Sequence, residues 1–189
     1  MTTEFVHSVA RPSGVDGPEA VARLRRAGLW LSLAGGPGIG WSSDEFPTIF
    51  AADSAPRMDG LTLSGEERLE ATVRPSSPSP CTVSGGVVAL RRFELRPGAL
   101  EEFLSLSVGA WPVFEELYEA RILGLFRSTG RPPEEECLLL VTWYASLAEW
   151  ERSRQAVGAR QGAAAEAGRR FQRRHELTRR TLVRTGIPL

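Results

Sequence analysis

The stretch RRFELRPGALEEF, residues 91–103, sets two opposed patterns side by side. VVALRRFEL (87–95) alternates apolar and polar side chains and is rich in branched and aromatic residues, which marks a strand. From Leu100 onward, Phe103, Leu104, Ser107, Trp111, Phe114 and Tyr118 recur near helical spacing and make one apolar stripe. Pro97 cannot extend a ladder and Gly98 turns freely, so the strand stops and a helix starts at once. A corner this tight folds the helix straight back over its own strand.

Downstream, ARILGLFRS (120–128) and CLLLVTWYA (137–145) read as two further strands joined by the turn TGRPPEEE (129–136). SLAEWERSRQ (146–155) begins with Ser146 three residues before Glu149, a capping box that opens a helix. An Ala- and Arg-rich helix follows from about Gln161, and RTLVRTGIPL (180–189) supplies a last strand. The order is β-α-β-β-α-(α)-β, with Pro112 expected to kink the first helix. Upstream the pattern is paler. EFVHSVARP (4–12) reads as a strand with the same Arg-Pro exit, and GPEAVARLRRAGLWLSL (17–33) as a helix with Pro in its first turn. FPTIFAAD (46–53) and ERLEATVRP (67–75) read as strands, and a second helix is not legible. The Gly-rich AGGPGIGW (34–41) is not a dinucleotide fingerprint, because its glycines follow a helix and lead into none. RPSSPSPCTVSGG (74–86), rich in Pro, Ser and Gly, resists regular structure. The chain therefore divides into a degenerate half at 1–74, a linker at 75–86 and a better-patterned half at 87–189.

Composition narrows the function. With 189 residues, 42% apolar and 24% charged, the chain is an ordinary soluble globular protein. Its 23 basic residues are all Arg, and Asn is absent too, which reads as the codon imprint of a GC-rich genome. Ten Arg face two acids between Arg152 and Arg184. A solvated helix face accounts for that run better than nucleic acid, since aromatic side chains are not interleaved with the Arg on an exposed sheet. Cys81 and Cys137 have no metal or redox spacing and suit a reducing cytoplasm. The first residues show no leader pattern, and no apolar run approaches the roughly 20 residues a membrane helix needs. No membrane partner is expected. No P-loop, HExxH, Cys/His metal spacing or Ser/His/Asp order is present, which argues against phosphoryl transfer and metallohydrolysis and leaves no metal site to name.

At ALRRFELRPGALEEFL, AWPVFEEL, RILGLFRSTGRP and WYASLAEWERSR the chain resembles the NIPSNAP-like branch of the dimeric α/β-barrel superfamily, over about residues 86–185. The resemblance implies an α+β, ferredoxin-like dimeric α/β barrel, with sheets paired face to face around a small-molecule pocket. Here the two tandem halves would close one barrel within the chain, or pair between chains as a homodimer. It also implies that the face carrying Arg91 points into the lumen. In the family a Glu often precedes that Arg by two residues, and a His and a Trp stand ahead of the Tyr matching Tyr144. This chain has Ala89, Leu140 and Thr142 in those places, so the inherited constellation is more apolar.

Strand alternation puts Ala89, Arg91, Phe93 and Leu95 on one face and Leu90, Arg92 and Glu94 on the other. Arg91 is a candidate to orient a carboxylate, enolate or phosphate through its planar donor fork, or else a rim residue paired to an acid. Arg127 carries the same two readings. Tyr144, with Thr142 on its face, is a candidate acid or carbonyl-orienting group, or a core Tyr with a satisfied hydroxyl. Phe93 and Trp111 are candidate contacts to substrate, Trp111 being equally at home in the core. Phe171, His175 and Leu182 fall at i, i+4 and i+11, so His175 is expected on an inward face as a proton carrier. His7 gains the same role if the halves pair as a barrel.

The function these expectations describe is a cofactor-independent cyclase, isomerase or oxygenase acting on a hydrophobic, polyketide-like or terpenoid-like molecule of bacterial secondary metabolism. Two alternatives stand beside it: a non-catalytic binding or assembly protein, and a haem enzyme ligated through His175, since some barrels of the superfamily bind haem through a helical His.

Overall fold

The computed structural model describes residues 3–35, 40–54, 56–132, 135–155 and 162–189. Its elements follow in the order β1 (Glu4–Pro12), α1 (Gly17–Arg26), β2 (Leu31–Ala34), β3 (Phe46–Ala51), β4 (Leu61–Ala71), β5 (Val87–Leu95), α2 (Leu100–Leu117), β6 (Ala120–Ser128), β7 (Cys137–Tyr144), α3 (Leu147–Arg154), α4 (Ala163–Glu176) and β8 (Thr178–Pro188). A 3-10 turn, Ala52–Ser54, stands between β3 and β4, whereas α3 and α4 stand between β7 and β8. The strands pair antiparallel and close into a barrel, β1-β3-β2-β8-β5-β7-β6-β4. Started from β4, that circuit runs 4-1-3-2 and then 8-5-7-6, so the two runs of four strands share one spatial order. They meet where Leu33 faces Pro188 and where Glu70 faces Arg127.

The corner at Pro97-Gly98 behaves as its residues dictate. Gly98 takes φ 75, a conformation that L side chains rarely adopt, and the Ala99 N–H closes the turn on the Arg96 carbonyl at 3.1 Å. α2 then begins at Leu100 with Glu101 and Glu102 in its first turn, where carboxylates favour the helix dipole. It continues as one helix through Pro112 to Leu117. The Ser146 hydroxyl accepts from the Glu149 N–H at 3.1 Å and caps α3, while the Glu149 carboxylate turns instead to the Glu119 N–H.

Alternation sorts the strands into an inner and an outer face. Phe5, Ile49, Leu69, Val88, Leu90, Phe126, Leu139 and Val141, from β1, β3, β4, β5, β6 and β7, fill the barrel interior. Phe5, Trp30 and Phe126 stack edge to face there, with ring centroids 5.2–5.8 Å apart. The opposite face of β5, β6 and β7 carries Phe93, Ile122, Leu138 and Leu140 against Phe103 and Trp111 of α2. α1 covers β1 and β3 through Ala20, Leu24, Phe46 and Phe50.

Two expectations change here. The helix expected over residues 17–33 ends at Arg26, because Gly28 turns the chain at φ 66 and Leu31, Ser32 and Leu33 then alternate into the barrel as β2. The segment at 75–86 is also packed rather than loose. The Cys81 N–H bonds the Trp30 carbonyl at 2.7 Å, the Trp143 indole bonds the Gly85 carbonyl at 3.0 Å, and Cys81 and Val83 lie on the barrel core. Residues 36–39 of the Gly-rich stretch, residues 133–134 of the TGRPPEEE turn and Gln161, the expected helix start, lie outside the described residues.

Candidate active site

Between the outer face of β5–β7 and helices α2, α3 and α4 lies a cavity of about 790 Å³. Its floor is sheet: Ala89, Arg91 and Phe93 of β5, Ile122 of β6, and Leu140, Thr142 and Tyr144 of β7. Its walls are Trp111 and Phe114 of α2 and Ala167, Phe171 and Arg174 of α4. α4 lies close against α2, and the end of the flexible Arg170 side chain rests over Gly109. The Phe114 and Phe171 rings meet at 5.9 Å, and the Arg173 Nε bonds Glu102 at 2.6 Å.

The polar groups of the cavity are unevenly charged. Arg91, Arg154, Arg169 and Arg174 line it, and among the described residues no Asp or Glu does. Arg169 is neutralised by Glu166 at 2.5 Å, whereas Arg91, Arg174 and the exposed Arg154 have no carboxylate partner among the described residues. Arg174 is 5% exposed, its Nε has no hydrogen-bond partner, and its guanidinium lies 4.4 Å from the Phe103 ring centroid and 5.2 Å from that of Phe93. Burial, reinforced by the positive charge of Arg91, lowers its pKa to about 9. Burial also lowers the pKa of Arg91, with the Tyr144 oxygen opposing it and Arg154 adding to it. Tyr144 is buried, and burial raises its pKa despite hydrogen bonding with Ser153 and Thr142 and the nearby charge of Arg91. It therefore stays a phenol at neutral pH, able to donate.

The sequence-predicted residues separate into two groups. Arg91, Phe93, Trp111, Thr142 and Tyr144 come together in this cavity. The face expected to point into the lumen is thus the face under the helices, and the arginine that enters the barrel is Arg92. β5 is a central strand buried on both sides, so its alternation carries no sign of which side is which. His175 is corrected too: its side chain is exposed at the cavity rim, and the inward residue of α4 is its neighbour Arg174. Leu182, taken as its partner on the stripe, lies in β8 and is 45% exposed. The true stripe is Ala167, Phe171, Arg174 and Leu177, at i, i+4, i+7 and i+10, and a lone Arg within it was the available signal. Arg127 is no cavity residue; it sits 3.5 Å from Glu136 as a half-exposed ion pair.

His7 does face the barrel interior, but at a separate cluster. There Glu67 accepts from Arg92 through both oxygens, with the Oε1 contact at 2.5 Å, and from the Ser128 hydroxyl at 2.6 Å; His7 Nδ1 lies 3.8 Å away. Burial alone would raise the Glu67 carboxyl, but Arg92, His7 and Ser128 outweigh it and hold the group well below the usual carboxylate range. Arg169, Arg170 and Arg173 of α4 are tied up in surface pairs with Glu166, Glu102 and Glu176. Among the described residues no three metal-ligating side chains cluster, and no helix is long and apolar enough to cross a membrane.

Neither protein-family models nor curated proteins match the chain. Solved structures do. An anthrone oxidase-like protein shares 10% identity at a TM-score of 0.60, covering 98% of this chain and 91% of its own. A candidate monooxygenase from Fusobacterium nucleatum subsp. nucleatum ATCC 25586 shares 8% identity at 0.57, over 99% and 93%. A NIPSNAP family protein from Agrobacterium tumefaciens str. C58 shares 19% identity over 58% of this chain and 90% of its own, at a TM-score of 0.44. At these identities the likeness speaks of fold: the chain is an α+β protein of the dimeric α/β-barrel, ferredoxin-like fold, with all eight strands of the barrel in one chain.

Proposed function

We propose that this protein is a cofactor-independent oxygenase-type enzyme that takes a hydrophobic, aromatic small molecule into the cavity between β5–β7 and the helices. The observation that carries the reading is the cavity itself, about 790 Å³ with aromatic walls and a few converging polar groups. The filled barrel interior favours this outer cavity over the lumen as the place for a ligand. The likeness over nearly the whole chain to proteins named anthrone oxidase-like and monooxygenase supports oxygenation over the cyclase and isomerase chemistries that such a cavity would also serve.

The residues suit a substrate that supplies its own electrons. Among the described residues no carboxylate lines the cavity to act as base, but Arg91 and Arg174 favour any negative charge that forms inside it. A methylene activated by a neighbouring carbonyl would lose its proton more readily there. Arg91 and the Tyr144 phenol would hold the enolate oxygen, and the carbanion would pass its electrons to dioxygen. In sum, one methylene and one dioxygen give one ketone carbonyl and one water. Both methylene C–H bonds and the O–O bond break, one oxygen atom stays on carbon, and the other leaves with the two hydrogens. The methylene carbon is oxidised by four electrons and dioxygen is reduced by four, so no external reductant is needed. Haem fits the residues poorly. His175 is the one imidazole at the cavity among the described residues, its side chain is exposed, and the inward position of α4 holds a guanidinium, which cannot ligate iron.

The same reading takes residues 1–74 as a degenerate copy of 87–189, supported by the shared strand order, and places the chain in the cytoplasm, in keeping with free thiols at Cys81 and Cys137. Anthrone in air-saturated buffer tests it. One dioxygen consumed per quinone formed, faster than in buffer alone and slowed in Arg91→Met, is the expected result. Tight binding without oxygen uptake, there and across further activated methylenes, would favour the non-catalytic binder.

A further inference from the structure

Arg174 is a costly residue to keep where it is. It is buried against three aromatic rings, those of Phe93, Phe103 and Phe171, with no acid beside it among the described residues and an Nε that bonds nothing. Packing alone would be served by Met or Leu, which fill the same volume without a charge to desolvate. Arg91 shares the cavity, partly buried and likewise without an acid, one step along the strand face from Phe93 and so about 7 Å from it. Nothing in α4 requires a cation at position 174: the surface pairs of the helix use Arg169, Arg170 and Arg173. Three of the cavity's guanidiniums have no carboxylate partner among the described residues; Arg154 is exposed to solvent, whereas Arg91 and Arg174 are withdrawn from it, and what these two lack is an anion.

We propose that Arg174 and Arg91 form an anion clamp, so that the ligand of this cavity enters already ionised, an aromatic body carrying a planar oxyanion such as a carboxylate. This rests on the cavity reading above and narrows it to a chemical class. The apolar body lies against Phe114, Phe171 and Trp111. The oxyanion is taken by the Arg174 fork, whose planar donors match two carboxylate oxygens at once, and Arg91 completes the charge balance. The affinity of the clamp comes from giving two desolvated cations a counter-charge in a low-dielectric space. It is therefore screened by salt less than a surface pair would be.

Matched probe pairs separate this proposal from the one beneath it. 9-Anthracenecarboxylate against anthracene-9-carboxamide, and 2-naphthoate against 2-naphthamide, differ in charge at nearly constant shape. Titrated calorimetrically at pH 7.5, the carboxylates are expected to bind the full-length protein at least tenfold more tightly than the amides. Arg174→Met is expected to bring each pair within threefold, and Arg174→Lys to fall between, because it keeps the charge and loses the fork. Equal affinity of acid and amide for the wild type overturns the clamp and leaves the cavity reading standing. A preference that survives Arg174→Met places the anion elsewhere and also overturns it. Failure of all four probes to bind the wild type refutes the cavity reading and the clamp together. Should Arg174→Met fail to fold, Arg174→Lys and Arg91→Met decide by the same ratio.

Discussion

Replacing Arg174 by Met should make the empty protein more stable while removing its affinity for aromatic anions. Holding the cation inside the fold lowers its pKa from the ordinary guanidinium range to about 9, which at about 1.4 kcal/mol per pKa unit corresponds to a cost of about 5 kcal/mol. Contacts of the guanidinium with the rings of Phe93, Phe103 and Phe171 at 4.4–5.5 Å return roughly 2 kcal/mol of that. A methionine keeps the unbranched stem in the same slot, so the expected gain is about 1–3 kcal/mol. For a domain of this size that is a rise in Tm of roughly 3–10 °C, read by circular dichroism at pH 7.5. The dependence on pH has a definite sign. Arg174 is a base whose pKa is lowered on folding, so below about pH 9 both the folded and the unfolded chain carry its proton and the cost is present in full. Above about pH 9 the folded chain sheds the proton that the unfolded chain still binds. The cost is progressively relieved there, and the gap to Arg174→Met closes. A variant destabilised by more than about 1 kcal/mol would refute this account and make Arg174 a packing residue whose ring contacts outweigh its desolvation.

Tyr144→Phe should slow turnover by roughly 10- to 100-fold while changing probe affinity less than threefold, because it removes a donor and little volume; an unchanged rate would reduce Tyr144 to packing. Glu67→Gln should cost about 1–3 kcal/mol in urea unfolding at pH 7, since it leaves Arg92 half-buried without its partner. Glu67 is held below its usual 4.5, so its contribution is present above about pH 4.5 and fades as pH falls further; the variant should show a flatter acid limb, and an unaltered limb would count against the pairing. His175→Gln should leave stability within about 0.5 kcal/mol and 9-anthracenecarboxylate affinity within twofold, as suits an exposed rim residue, and a large loss of either would put the imidazole inside the cavity.

The run from Val87 to Tyr118 reveals the fold because its signals are local. Alternation, a Pro-Gly stop and a helical stripe each depend on neighbours in sequence, and each is realised at the expected residues. The antiparallel return of β6 and β7 and the capped start of α3 are local in the same sense. β2 was hidden because its Leu31-Ser32-Leu33 alternation is short and continues a helical pattern without a break, except for the φ 66 turn at Gly28. Residue types at the site were legible as well: Arg91, Phe93, Thr142 and Tyr144 share one parity on their strands and do share one cavity. Which side of the sheet that cavity lies on was not legible. Strands buried on both faces look alike from either side, and only the closure of eight strands decides that Val88 and Leu90 fill the barrel while Arg91 looks out at α4. Helix phase was decided the same way. Adjacent residues on a helix are about 100° apart, so Arg174 and His175 differ by one step in sequence. The packing of α4 on α2 turns that step into a buried cation and an exposed imidazole.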